Sequence, residues 1–349
     1  MRRLAAMFLA LFALVPVNAQ EAPPAPLFAS DEPIALSIEA PFSTISRDRS
    51  KTEYHDGILR YTDGAETEHT IALGLRSRGE YRRRKDVCDF PPIRLNFKKN
   101  GNEDNVFEGQ DKLKLVTHCK SGRGNYQQYV VMEYLAYRIL ASLTDQGFKT
   151  RLLHLSYIDT DRKKKQLYTK YAFVIEHKDE LARRMGWTLV EVPRIGDDQL
   201  DRKQANLVAV FEYLIGNTDF SMVLGARDEP CCHNIVLYSA KPGTFIPVPY
   251  DFDLAGIVNA PYATPNPKYK LDSVRERLYR GYCGNNDILP ETLAYFTDKK
   301  REIYAVINDI DGLGKYRKRQ MTRYVDDFYE DFETARDTER NFLQECDSG

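Results

Sequence analysis

Between Asn217 and Asp253 the chain reads NTDFSMVLGARDEPCCHNIVLYSAKPGTFIPVPYDFD. Asn217, Asp219, Asn234, Asp251 and Asp253 carry the oxygen ligands that hard divalent cations take. An aspartate among them can also orient or deprotonate a hydroxyl. An apolar helical run closes at Ile215-Gly216, with Asn217-Thr218-Asp219 directly after it. His233-Asn234 opens a strand (IVLY), Lys241-Pro242-Gly243 turns it, and a second strand (FIPVPY) delivers Asp251-Phe252-Asp253. Paired as a hairpin, these strands gather carboxylates and an amide at one corner. Singly, each residue has a plainer role. Asp251 and Asp253 can cap a turn or helix, and Asn217 and Asp219 can end one. Other catalytic templates do not occur: there is no G-x-S-x-G, H-E-x-x-H, Walker A or G-x-G-x-x-G.

The elements that must position this corner fall into two parts. From residue 34 to about 72 the pattern is short and alternating, with turns at Asp56-Gly57 and Asp63-Gly64, and predicts β-strands. A basic turn over 76–85 follows, then strands IRLNF (93–97) and KLKLV (112–116). A helix starts near Gln127, with Val131, Leu135, Ile139 and Leu143 at a spacing of four, and ends at the Gly147 signal. Two further strands (LLHLSYID, QLYTKYAFVIE) and a short helix (LARRM) complete residues 34–180, read as an antiparallel sheet carrying one long helix. The second part, 181–349, is more helical: 202–215, 273–280, 290–310 and a charged helix over 315–343.

With 349 residues the chain has room for two domains or one two-lobed domain, and a net charge of −1 gives no general attraction to nucleic acid. Residues 1–19 read as a signal peptide: Arg2-Arg3, the apolar LAAMFLALFALVPV, and Val17-Asn18-Ala19 as the cleavage site. Residues 20–33 form a Pro/Ala-rich linker, and no later stretch reaches membrane-spanning length. The expected location is secreted, periplasmic in a Gram-negative source. Export permits disulfides. Of the six cysteines, Cys88–Cys119 and Cys232–Cys283 are the expected bridges.

The order of these short motifs resembles the CotH-type (spore-coat) kinase family and, more distantly, HipA-type kinases. It covers Arg78-Gly79, IRLNF, KLKLV leading to the 127–145 helix, Asn217-Thr218-Asp219, His233-Asn234 and Tyr250-Asp251-Phe252-Asp253, over roughly residues 70–260. The resemblance implies an α+β, two-lobed protein-kinase-like fold: an N-terminal antiparallel sheet with one long helix and a helical C-terminal lobe. It implies phosphate transfer from ATP, with Mg²⁺ or Mn²⁺, to a hydroxyl, and a protein serine is one candidate acceptor. Asp219 becomes the catalytic aspartate, and Asn234, Asp251 and Asp253 the metal ligands. Lys114, paired with Glu133, contacts phosphate, although Lys112 shares its strand face. The Arg78-Gly79 turn covers the phosphates, and Glu176-His177 forms the hinge against the base. Asp219 and Asn234 stand fifteen residues apart, where kinase sites use about five. The other functions kept open are a non-catalytic envelope binding protein and a nucleotidyl transferase.

Overall fold

The structure, a computed structural model, describes residues 23–97, 103–163, 167–226 and 229–348; the expected signal peptide lies outside them. Strands β1 (Ile34–Ala40), β2 (His55–Thr62), β3 (Glu68–Ser77), β4 (Ile93–Phe97), β5 (Lys112–Val116), β6 (Thr150–Asp159) and β7 (Leu167–Ile175) close into a barrel, in the order β1-β2-β3-β4-β5-β7-β6. Six of its seven pairings are antiparallel. The seventh is parallel: β6 returns beside β1, Leu36 facing Leu155 and Ile38 facing Tyr157, and seals the ring. Alternation along each strand decides what fills it. Leu36, Ile38, Leu73, Leu95, Leu115, Leu155 and Val174 all point into one buried core. Leu27 and Phe28, from the stretch expected as a linker, are buried in that same core.

This corrects the two-lobed, kinase-like expectation with its N-terminal antiparallel sheet. Strand periodicity tells which side chains face inward, but an open sheet and a closed barrel share that period. The parallel contact that decides between them joins segments more than a hundred residues apart.

Besides α1 (Phe42–Asp48), the barrel carries α2 (Tyr126–Leu143) against its outer wall. Residues 130–137 of α2 are all buried, because both sides of the helix are covered. Tyr134 and Tyr137 pack on Phe173 of β7, with ring centroids 5.7 and 5.6 Å apart. Tyr137 also meets Phe252 of the second half at 4.5 Å. The core outside the barrel is therefore shared between the two halves.

The remaining elements are α3 (Lys178–Met185), a three-stranded sheet of β8 (Thr188–Val190), β9 (Ile235–Lys241) and β10 (Thr244–Pro249), and helices α4 (Arg202–Ile215), α5 (Leu289–Asp298), α6 (Lys300–Asp309), α7 (Lys315–Glu330) and α8 (Ala335–Thr338). The boundary expected at residue 180 falls inside α3. Residues 273–280, expected as a helix, are irregular; the helix expected over 290–310 breaks at Lys299, and the one over 315–343 ends at Glu330. Cys88–Cys119 pairs as expected. The expected Cys232–Cys283 bridge is corrected, since Cys231 bonds Cys232 and Cys283 bonds Cys346. No cysteine is free, and among the described residues no helix is long and apolar enough to cross a membrane.

Helix α4 ends on Gly216 at φ +66°, and its N–H caps the carbonyls of Glu212 and Tyr213. A side chain there would be left-handed and would collide with the Tyr324 hydroxyl. Gly216→Ala is expected to cost about 2 kcal/mol or more of stability, read from the urea unfolding midpoint.

Candidate active site between the barrel and the hairpin

Gly216 turns the chain out of α4 and hands it to Asn217, whose Oδ1 accepts the Asp219 N–H at 3.0 Å. Fifteen residues on, the chain comes back. The Ser221 N–H donates to the His233 carbonyl (2.9 Å) and the His233 N–H to the Leu224 carbonyl (3.0 Å), so the ends of the long loop lie side by side. The insertion therefore leaves Asp219 and Asn234 in contact. Asn234 Nδ2 donates to the Asp219 carbonyl at 2.6 Å and to Oδ2 at 3.0 Å. Asp219 Oδ1 lies 2.9 Å from His233 Nε2, and that bond raises the imidazole pKa. Arg280 holds the loop from behind, donating to the carbonyls of Thr218 and Phe220.

At the far end of β10 the Tyr250 N–H donates to the Asn234 carbonyl (3.0 Å), placing Asn234 and Asp251 at the same end of the hairpin. Both have left-handed backbones, φ +52° and +68°. Such values are uncommon outside glycine, although Asn and Asp tolerate them best. The Asp251 N–H is fastened to the Tyr137 hydroxyl of α2 at 2.9 Å. Among the described residues the Asp251 carboxylate makes no hydrogen bond and no ion pair within 4.0 Å.

Cations from the barrel face this corner. Arg82 is the most tightly held: it donates to the Thr117 carbonyl, stands 3.5 Å from Glu133 and lies 3.9 Å from Asp253. Burial works against its charge, but Tyr262, Asp253, Glu133 and Asp251 together raise its pKa. The expected Lys114–Glu133 pair is thus corrected: Arg82 takes Glu133. Lys114 Nζ sits instead 4.1 Å from the centre of the Tyr250 ring. Burial, then the neighbouring Arg78, brings its ammonium down to about 8, with Asp251 acting against the fall. Lys112 faces solvent beside Asp111 at 3.5 Å and takes no part. Burial lowers Arg78 and Arg94 as well, each reinforced by a neighbouring arginine.

Their acidic neighbours respond the other way. Burial and Asp253 push Glu133 upward, and burial and Asp251 push Asp253 up to about 7. Arg82 is matched by these two acids, whereas among the described residues Arg78, Arg94 and Lys114 make no ion pair within 4.0 Å. That leaves cationic charge at the corner, the chemistry that suits an anion.

Beside Lys114 and Arg94 opens a cavity of about 440 Å³. Phe148, Ile175, Leu189, Ile235 and Leu237 give it an apolar lining, and the Cys231–Cys232 bridge contributes to its wall. Glu176 and His177 line it where β7 passes into α3. The Glu176 side chain is a structural group, buried in an ion pair with Arg184 at 3.1 Å and accepting the Lys149 N–H at 3.0 Å. Gly79 is exposed at φ +75°. Its carbonyl accepts from Arg83, while Arg78 beside it turns inward. Sequence reasoning missed Arg82, Arg94 and Tyr250. Arg82 is one of three consecutive arginines, and nothing in their pattern marks the inward one. Arg94 does carry a signal, since it is the register partner of Lys114.

Among the described residues no three His, Cys, Asp or Glu side chains converge closely enough to hold a metal ion. The chain alone offers no closed cage. Asp251, with its uncommitted carboxylate, and Asn234 at the same hairpin end fit the lesser demand of Mg²⁺ bound mainly through phosphates, which takes one or two protein oxygens. Asp253 is engaged with Arg82.

One buried acid lies behind the site. Glu212 of α4 is fully buried, and among the described residues neither of its oxygens lies within 3.5 Å of a donor in good geometry, with Asn217 beyond the end of the helix as its polar neighbour. Burial pushes its carboxyl up to about 8, with Asn217 and Arg280 acting against the rise. A raised folded-state pKa means that the stability it contributes is present below the unfolded value of 4.5 and is lost as pH rises through 8. Glu212→Gln should therefore flatten the decline of the melting temperature between pH 5 and about 8 and melt above the parent at the upper end, by a thermal-shift series.

No protein-family model matches the chain, and no curated protein or solved structure matches it either.

Proposed function

We propose that the cleft binds a nucleoside triphosphate, ATP in the simplest case, and that the protein transfers its terminal phosphoryl group to a hydroxyl acceptor. The observation that carries this reading is the convergence of Arg78, Arg82, Arg94 and Lys114 on the Asp219–Asn234–Asp251 corner, with an apolar slot opening beside them. Cationic donors suit phosphates, and a cavity of about 440 Å³ lies in the range that takes small ligands.

In this reading the base enters between Ile175 and Leu237, and Lys114 and Arg94 hold the phosphates at its mouth. Asp219 accepts the acceptor's proton as the new oxygen–phosphorus bond forms and the bridging bond to the diphosphate breaks. Two hydrogen bonds already hold the Asp219 carboxylate, which fixes its direction. Phosphoryl transfer through a loose transition state asks more for position than for base strength. Asp251 and Asn234 would hold a divalent cation. Once bound, that ion neutralises charge on the phosphates. The three disulfides suit an oxidising compartment. The engaged state of Asp219 also favours a second reading, a protein that binds nucleotide without turnover.

Calorimetry of the mature chain with ATP and Mg²⁺ tests the binding. Lys114→Met should weaken it about tenfold or more, and Asp251→Ala should weaken its dependence on Mg²⁺. Because only the protonated lysine attracts phosphate, affinity should fall as pH rises through about 8. Asp219→Asn should leave binding intact and lower transfer of γ-label about a hundredfold or more. Binding without incorporation would identify the non-catalytic protein, and α-label in the product a nucleotidyl transferase. No nucleotide binding at all ends both readings.

A further inference from the structure

A second cavity, about 710 Å³, opens at the mouth of the barrel and shares no lining residue with the first. Tyr168 and Lys170 stand there on the row of β7 that continues inward through Ala172 and Val174. Barrel mouths are common places for small-ligand sites.

Its notable member is Lys170. It is only 8% exposed, and among the described residues its ammonium has no hydrogen bond and no ion pair within 4.0 Å. The two carboxylates lining the same cavity hold other partners, although the charge of Asp89 also reaches Lys170. Asp89 accepts the Ser121 N–H at 2.8 Å. Asp159 takes the Ser43 N–H and hydroxyl at 3.2 and 2.5 Å, and Arg162 at 3.3 Å. The stem is buried while the ammonium opens to the cavity, and Asp89 acts on it only from beyond 4.0 Å, so an anion entering here would be its first direct partner.

The rest of the cavity describes the partner. Phe42 and Phe90 line it, and Phe90 stacks on the buried His118 ring at 4.5 Å. Burial, then Lys170 and Arg82, depress His118 to about 3, so it adds no positive charge. Three cations (Arg47, Arg162, Lys170) and two carboxylates leave the lining at net +1, which matches one negative charge and not a phosphate dianion. We propose that the barrel mouth binds a small organic carboxylate with a flat apolar body, its charge paired with Lys170 Nζ and its body against Phe42 and Phe90.

The test titrates benzoate and inorganic phosphate into the mature chain by calorimetry, for the parent, Lys170→Met and Gly122→Trp. Gly122 lies on the rim, exposed, where an added side chain meets nothing within 4 Å, so its variant blocks the cavity without touching Lys170 or the core. Benzoate should bind the parent more tightly than phosphate, and each variant should weaken it about tenfold or more. If Lys170→Met does not fold, Gly122→Trp decides alone. No benzoate binding, equal binding by the folded variants, or tighter binding of phosphate overturns the assignment. Nucleotide binding in the other cleft is read separately, so failure of one proposal leaves the other standing.

Discussion

The Arg82 guanidinium is where three parts of the chain with no sequence proximity meet. It comes from the basic loop after β3, and its neighbours are Glu133 of α2 and Asp253 beyond the hairpin. Both carboxyls are at least nine-tenths buried, so neither has water to fall back on. Removing one member of such a set strands the others, at about 3–5 kcal/mol. The contact joins the barrel, the central helix and the hairpin at one point.

The basic loop could not present Arg82 unaided. Its far end is bolted by Cys88–Cys119. Its carbonyls at Arg83, Cys88 and Asp89 are gathered by the Arg49 guanidinium at 2.6, 2.8 and 2.9 Å. Tyr81 reaches across to the Tyr262 carbonyl at 2.8 Å. A run of like charges is ordinarily a solvated surface. Here the backbone is so tied that Arg78 and Arg82 point inward while Arg84 pairs with Asp86 outside. The same frame separates the two cavities, since the Cys88–Cys119 segment lies between Arg82 and the Lys170 mouth: Arg82 donates to Thr117, and Ser121 lines the mouth.

Local pattern made much of this legible. The strands at 93–97 and 112–116 and the helix at 202–215 fall where apolar spacing places them, because a half-buried strand or helix must repeat with its own period. The corner residues Asp219, Asn234 and Asp251 were readable as neighbours, since each sits at the end of an element and the hairpin pairing brings those ends together. The breaks at Lys299 and after Glu330 were not. There the charged sequence is helix-compatible throughout, and no local stop signal marks where the helices end.

Chemistry of residue types and local periodicity are properties of the chain, and the sequence by itself determined them: the candidate acids and amides, the inward faces of most strands, the cysteines suited to an oxidising setting. Partner choice belongs to the tertiary structure. It decided that β1 closes on β6, that Glu133 belongs to Arg82 and not Lys114, that Cys283 bonds Cys346, and that Lys170 lines the barrel mouth with no ion pair within 4.0 Å among the described residues. Each of these rests on distance and burial between segments remote along the chain. A period of two or 3.6 residues carries no information about what lies across a gap of a hundred.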